Sequence, residues 1–192
     1  GSTQTLSVSA NGSFTFAQSV SNAQSYAVTV QTQPSAPTQT CTVTNGTGPA
    51  APANITDVAV NCTTNTYTVG GTVSGLAGTG LVLSLNAGAQ TVPVTANGAF
   101  NFPTAIASGG TYTVTVQTQP SAPTQTCSLT NASGSVSSSN VTSISVSCTT
   151  NTYTVGGSVT GLAGSGLVLS LNAGAQTLPV AANGTFTFPT AL

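Results

Sequence analysis

Residues 111–150 read TYTVTVQTQPSAPTQTCSLTNASGSVSSSNVTSISVSCTT, and residues 25–64 read SYAVTVQTQPSAPTQTCTVTNGTGPAAPANITDVAVNCTT. The shared features are displaced by a constant 86 positions: Tyr26 to Tyr112, Cys41 to Cys127 and Cys62 to Cys148. Within each stretch apolar residues alternate with Ser and Thr, as at Tyr112, Val114 and Val116 or Ile144, Val146 and Cys148, which is the period of a strand with one buried face. An exact period longer than a solenoid unit marks tandem copies of one small domain.

The two ends of this stretch test each other. If Cys127 stands opposite Cys148 in an antiparallel hairpin, Leu129 falls opposite Val146 and Asn131 opposite Ile144. Cys127, Leu129, Ile144 and Val146 then share one face, and Cys41, Val43, Val58 and Val60 repeat the arrangement. Equal spacing and matching apolar phase predict one disulfide per repeat, Cys41–Cys62 and Cys127–Cys148. A metal site would want His or closer pairs such as Cys-x-x-Cys, and neither occurs. Disulfides of this kind place a chain outside the cytoplasm.

Working outward, Tyr67 recurs as Tyr153, and Asn11-Gly12 recurs as Asn97-Gly98 and Asn183-Gly184. One complete copy spans 67–152, preceded by a partial copy at 1–66 that lacks the first two strands and followed by a partial copy at 153–192 that holds the first four. Gly1 and Ser2 align with Ala87 and Gly88. The complete copy predicts seven strands near Tyr67–Val73, Leu81–Leu85, Gln90–Val94, Ala99–Phe102, Tyr112–Gln117, Thr126–Asn131 and Val141–Cys148, with no helix. Asn97-Gly98 reads as a two-residue hairpin turn between the third and fourth. Copies are joined by Thr63-Thr64-Asn65-Thr66, and by Thr149-Thr150-Asn151-Thr152 at the next joint. A four-residue joint without Gly or Pro predicts a fairly stiff string.

Those strands carry a resemblance. Tyr67-Thr-Val-Gly-Gly-Thr-Val73, Gly80-Leu-Val-Leu83, Ala96-Asn-Gly-Ala-Phe-Asn-Phe102 and Gly110-Thr-Tyr-Thr-Val-Thr-Val116 resemble the bacterial immunoglobulin-like or prealbumin-like sandwiches that occur in tandem in surface proteins, including the Cna protein B-type and carboxypeptidase regulatory-like domains. Asn11-Gly-Ser-Phe-Thr-Phe16 and Tyr26-Ala-Val-Thr-Val30 match the same pattern. The resemblance implies tandem seven-stranded sandwiches in an extracellular stalk, adhesin or fibre at a bacterial cell surface. The Lys–Asn crosslink common in B-type domains has no counterpart, because the chain has no Lys.

Composition removes most other classes. The chain has no Lys, Arg or His and a single acid, Asp57, for a net charge of −1. Ser and Thr without a base nearby are not nucleophiles, so the reading is non-catalytic, with no catalytic residue, cofactor or metal. Without Lys or Arg to neutralise phosphates, nucleic acid is excluded as a partner. Disordered chains combine low hydrophobicity with high net charge, the reverse of this one. The longest apolar run, Gly80-Leu81-Val82-Leu83, stops at Ser84 and falls far short of the roughly 20 residues of a membrane helix.

Asp57 aligns with Ser143, and one carboxylate does not make a calcium site, which takes six or more oxygens. Tyr26, Tyr67, Tyr112 and Tyr153 sit at the apolar phase of strand starts and are expected in the core, with hydroxyls bonded to backbone. Phe100 and Phe102, two residues apart, share a face and are expected there too. Exposed rings would instead favour a carbohydrate-binding module with glycans as partners. Asn45-Gly-Thr, Asn54-Ile-Thr and Asn140-Val-Thr match the glycosylation triplet. Otherwise the expected partners are neighbouring repeats of the same polypeptide or identical subunits. The chain is expected to be a stretch of a longer array. The alternative is strand complementation between molecules, in which Thr3–Phe16 and Gln176–Phe188 would duplicate the third and fourth strands.

Overall fold

Alternating Val, Leu, Ile and Phe against Ser and Thr produces a chain built of strands, with no helix among the described residues. The computed structural model describes residues 3–50 and 53–192; Gly1, Ser2, Ala51 and Pro52 lie outside the described residues. At its centre two four-stranded sheets face each other. One runs Ser133–Ser135, Thr111–Thr118, Leu81–Leu85, Gln90–Val94; the other runs Gln125–Thr130, Val141–Thr150, Val69–Ser74, Gly98–Asn101. Both send their apolar phase inward, and Leu81, Leu83, Leu85 and Val114 from the first meet Val69, Val73, Phe100, Ile144 and Val146 from the second in one core. The sandwich is thus held by apolar area, hydrogen bonds and the Cys127–Cys148 bridge, without ion pairs.

The expected count of seven strands is replaced by these eight. Ile106–Ala107 is a further strand outside the two sheets, and Ser133–Ser135 is the addition within them, pairing with Thr111–Thr113. Its Ser-Gly-Ser sequence has no alternation to announce it, and Gly134 is required because a Cβ there would press on the Tyr112 ring and hydroxyl. The expected strand at Tyr67–Val73 is divided at Thr68. Before it, Thr66–Tyr67 pairs antiparallel with Ile106–Ala107; after it, Val69–Ser74 runs parallel to Val141–Thr150. At the switch Asn140 Oδ1 accepts from Thr68 N at 3.0 Å, and Thr68 O accepts from Val141 N at 2.9 Å. Gly71 permits the parallel approach, since a Cβ there would overlap the Ile144 carbonyl.

Asn97-Gly98 is not a hairpin turn. The strands on either side lie in opposite sheets, so the chain crosses the sandwich there as an arch. Asn97 turns its amide to the neighbouring loop, accepting from Leu76 N at 2.8 Å and donating to Leu76 O at 2.9 Å. The tight hairpin lies one strand earlier, at Asn86-Ala87-Gly88, where all three residues take positive φ (50°, 55° and 95°).

The cysteine hairpin has the register read from the sequence: Cys127 faces Cys148 and Leu129 faces Val146, while Cys41 faces Cys62 and Val43 faces Val60. Both pairs are disulfides, with S–S distances of 2.06 Å for Cys41–Cys62 and 2.02 Å for Cys127–Cys148. Gln125–Thr130 is an edge strand, and Gln119 covers part of that edge. Its Oε1 accepts from Cys127 N at 2.8 Å and its Nε2 donates to Cys127 O at 3.1 Å, occupying groups that could otherwise recruit another strand.

Buried Gln125, 2% exposed, was not singled out by the sequence. Its Oε1 accepts from Ala77 N at 2.9 Å and Gly78 N at 2.8 Å, and its Nε2 donates to Gly75 O at 2.9 Å. One amide thereby serves three backbone groups of a loop that has no strand partner. Gln125→Leu keeps similar bulk but strips those groups of partners in a dry site. We expect it to destabilise the central sandwich by about 3 kcal/mol or more, read from the shift of the urea unfolding midpoint.

The flanking residues form half of each sheet. Gly156–Val159 pairs with Gly184–Thr187, and Leu167–Leu171 with Gln176–Val180, the counterparts of the pair at one end of each central sheet. Gln39–Thr44 pairs with Ala59–Thr64, and Ser25–Ala27 with Thr47–Pro49, the counterparts of the other two. Thr3–Phe16, expected to duplicate the third and fourth strands, forms no strand. The strands those residues would pair with precede them in the repeat, and no described residue takes that place.

Candidate functional site

The single acid lies exposed before the Ala59–Thr64 strand. Its backbone, not its carboxylate, has the conserved geometry within the chain: Asn45 Nδ2 donates to Asp57 O at 3.0 Å, and Asn131 Nδ2 donates to Ser143 O at 3.0 Å at the matching position. Asp or Ser serves equally, so the position is a backbone anchor. Among the described residues no three His, Cys, Asp or Glu side chains come together as metal ligands. The four cysteine sulfurs, the strongest nucleophiles available, are all tied up in disulfides.

The aromatic residues divide into two groups. Phe100, Phe102 and Tyr112 are buried; Phe102 is 1% exposed, and it meets Phe100 edge-on at 6.0 Å between ring centres. Rings so placed offer no face to a sugar. Tyr26 is half-buried and donates its hydroxyl to Asn45 O at 3.2 Å. Tyr67 and Tyr153 depart from the expected core role. Tyr67 packs partly against the core, but its hydroxyl shares a hydrogen bond with Thr38 Oγ1 at 3.0 Å; Tyr153 is 62% exposed, and its hydroxyl lies 3.2 Å from Thr124 Oγ1. Each reaches back to a loop that precedes it by 29 residues. Hydrogen bonds from Thr124 first, and from Asn151, hold the Tyr153 phenol below its ordinary pKa. Strand-phase reasoning missed these two because they sit where one stretch of sheet hands over to the next.

Of the triplets at Asn45, Asn54 and Asn140, two have their amide engaged. Asn45 is committed to Asp57 O, and Asn140 to Thr68 N. Asn54 is exposed.

What recurs most is a set of side-chain amides that pair with backbone as an extra strand residue would. Gln4 with Gln18, Gln90 with Thr104 and Gln176 with Thr190 each accept from one backbone N–H and donate to the same residue's C=O. Asn97 with Leu76 and Asn183 with Leu162 do the same, as do Gln33 with Cys41 and Gln119 with Cys127. Neutral amides thus fasten loops that charged side chains often fasten elsewhere. No buried side-chain nitrogen or oxygen among the described residues lacks a partner.

Two shallow open concavities lie inside the arches at Leu6–Thr15 and Leu178–Thr187. They occupy the same place in the repeat, in the two flanking parts where each sheet is half complete. Large exposed apolar residues cluster in those parts as well: Leu6, Val8, Val60, Val155 and Val168 among them. Leu6, Val8, Val60 and Val155 stand at the positions of Val92, Val94, Val146 and Val69, which face the core of the central sandwich. Against known proteins, the chain matches no family model, no curated protein and no solved structure.

Proposed function

We propose that this chain is a structural, non-catalytic stretch of tandem immunoglobulin-like β-sandwich repeats, divided at 1–66, 67–152 and 153–192, that forms the stalk of a bacterial surface adhesin or the body of an extracellular fibre. The observation that carries this reading is recurrence at one offset: the disulfide hairpin twice, the Gln–backbone clasp three times and the Asn-Gly pair three times. Two disulfides suit an oxidising compartment of the extracellular type. Function under this reading is mechanical: stapled sandwiches in series give reach, and the absence of Lys and Arg leaves trypsin-like proteases nothing to cut. Immunogold labelling with an antibody against the central sandwich tests it. Label along surface strings or fibres is expected; label confined to the cell interior would overturn it.

One observation favours a fibre subunit that assembles by strand complementation. The N-terminal part has the strands of one half of each sheet and the C-terminal part those of the other, cut at the same two seams. The C-terminal half of one molecule and the N-terminal half of the next would together make the central arrangement. Sedimentation of the purified chain separates the readings: growth of linear oligomers with concentration supports complementation, and a monomer at all concentrations supports completion within a longer polypeptide.

A further inference from the structure

The linker between the first and second repeats is not a tether. The two strands that flank it end at Thr64 and begin at Thr66, so the four-residue joint expected from the sequence contracts to Asn65 alone. Every main-chain polar group of that residue is used, by partners on both sides. Asn65 N donates to Thr38 O at 3.0 Å in the first repeat, and Asn65 O accepts from Ser108 N at 2.8 Å in the second. Its Oδ1 accepts from Thr40 Oγ1 at 2.8 Å.

Thr38, in the loop that follows Ala36-Pro37, is seated on the second repeat. Its N–H donates to Ser108 Oγ at 2.9 Å, its hydroxyl shares a hydrogen bond with Tyr67 Oη at 3.0 Å, and Ser108 Oγ in turn donates to Ser137 O. Ser108 is one of few buried polar side chains, 7% exposed; its bond to Thr38 crosses the junction, and its bond to Ser137 anchors it within the second repeat. Pro37 lies over Gly109, whose φ of +88° favours glycine.

We propose that this loop and the Tyr67–Ser108–Ser137 end of the next repeat are a docking latch, holding successive repeats in one fixed orientation. Each repeat carries the loop at one end and its receptor at the other, so the contact is heterologous and propagates head to tail. The latch begins again at the second joint: Gln119–Gln125 repeats the sequence of 33–39, Asn151 N donates to Thr124 O at 3.0 Å, Thr126 Oγ1 donates to Asn151 Oδ1 at 2.8 Å, and Thr124 meets Tyr153. At the position of Ser108 the first repeat has Asn22, which also both donates and accepts. The partner chemistry is a neutral, hydroxyl- and amide-lined end of another copy of this repeat, and array stiffness is set by this contact more than by linker length. The proposal rests on the array reading only in taking Asn65 as a boundary between repeats.

The test uses isotope-labelled 192-residue chain and three variants, Thr38→Val, Tyr67→Phe and Ser108→Ala, with amide hydrogen exchange and residual dipolar couplings. In the wild type, the Thr38, Asn65 and Ser108 amides should be protected, and the Gln39–Thr64 hairpin should share one alignment tensor with the central sandwich. Each variant should speed exchange at Thr38 or Ser108 by about tenfold and split the alignment, with Val114 and Ile144 still protected. Free-loop exchange at Thr38 in the wild type would overturn the latch. Should Ser108→Ala loosen the central core itself, Thr38→Val decides, because Thr38 lies outside the central sandwich; an unchanged alignment there would also overturn the proposal. Surface labelling and these measurements are independent, so the stalk reading and the latch can fail separately.

Discussion

Leu83→Ala should destabilise the central sandwich by about 3–5 kcal/mol, whereas Leu169→Ala in the monomeric chain should cost less than about 1 kcal/mol. The comparison is controlled by the sequence itself, since Leu81–Leu85 and Leu167–Leu171 are both Leu-Val-Leu-Ser-Leu and both pair with the following strand. Leu83 is fully buried, with Val116 beside it across the sheet and the second sheet beneath. Removing its branched end leaves a cavity whose walls are held by two sheets and cannot close. Leu169 is paired on one side only, with its hairpin neighbour, and is partly exposed, so the space left by truncation opens toward solvent and can close. Urea unfolding followed by far-ultraviolet circular dichroism, at low concentration, measures both. If Leu169→Ala instead weakens the protein as concentration rises, the C-terminal strands are being completed by another molecule, and strand complementation gains direct support.

Replacing Cys127 and Cys148 together by Ala should cost the central sandwich about 2–5 kcal/mol. The bridge closes a separation of 21 residues, for which loop closure in the unfolded chain accounts for about 3 kcal/mol. A domain this small has about 5–15 kcal/mol of net stability, so the loss exceeds half in the weaker case. The same change at Cys41 and Cys62 should leave the unfolding of the central sandwich in place, because that bridge joins strands outside its two sheets. Chemical unfolding of the two double variants separates these effects. Non-reducing peptide mapping with a protease other than trypsin should recover Cys41–Cys62 and Cys127–Cys148 peptides, and a peptide linking Cys41 or Cys62 to Cys127 or Cys148 would refute the pairing.

The fold was legible wherever the signal was local and repeated. Period-2 alternation located Leu81–Leu85 and Gln90–Val94 at their actual bounds, and equal cysteine spacing with matched apolar phase set the register of Gln125–Thr130 on Val141–Thr150. Errors arose where a local signal has two tertiary outcomes. Asn97-Gly98 marks a reversal of the chain, but whether it joins neighbouring strands or arches between sheets depends on what each strand finds as partner. Tyr67 and Tyr153 carry the apolar phase of a core residue, yet their hydroxyls serve the loop before them. Gln125 and Ser108 look like surface positions in a chain rich in such residues; only the loops that close over them make them buried.

Residue type and spacing along one segment were enough for the repeat, the all-strand character and the disulfide pairing. Tertiary structure decided which strands share a sheet, the parallel contact of Val69–Ser74 with Val141–Thr150, the role of neutral amides as backbone partners and the seating of one repeat on the next. The physical reason is visible in Leu-Val-Leu-Ser-Leu, which is core at 81–85 and half-exposed at 167–171. Alternation states which face a strand would bury, but burial itself requires a second sheet, and that surface comes from residues remote in the chain.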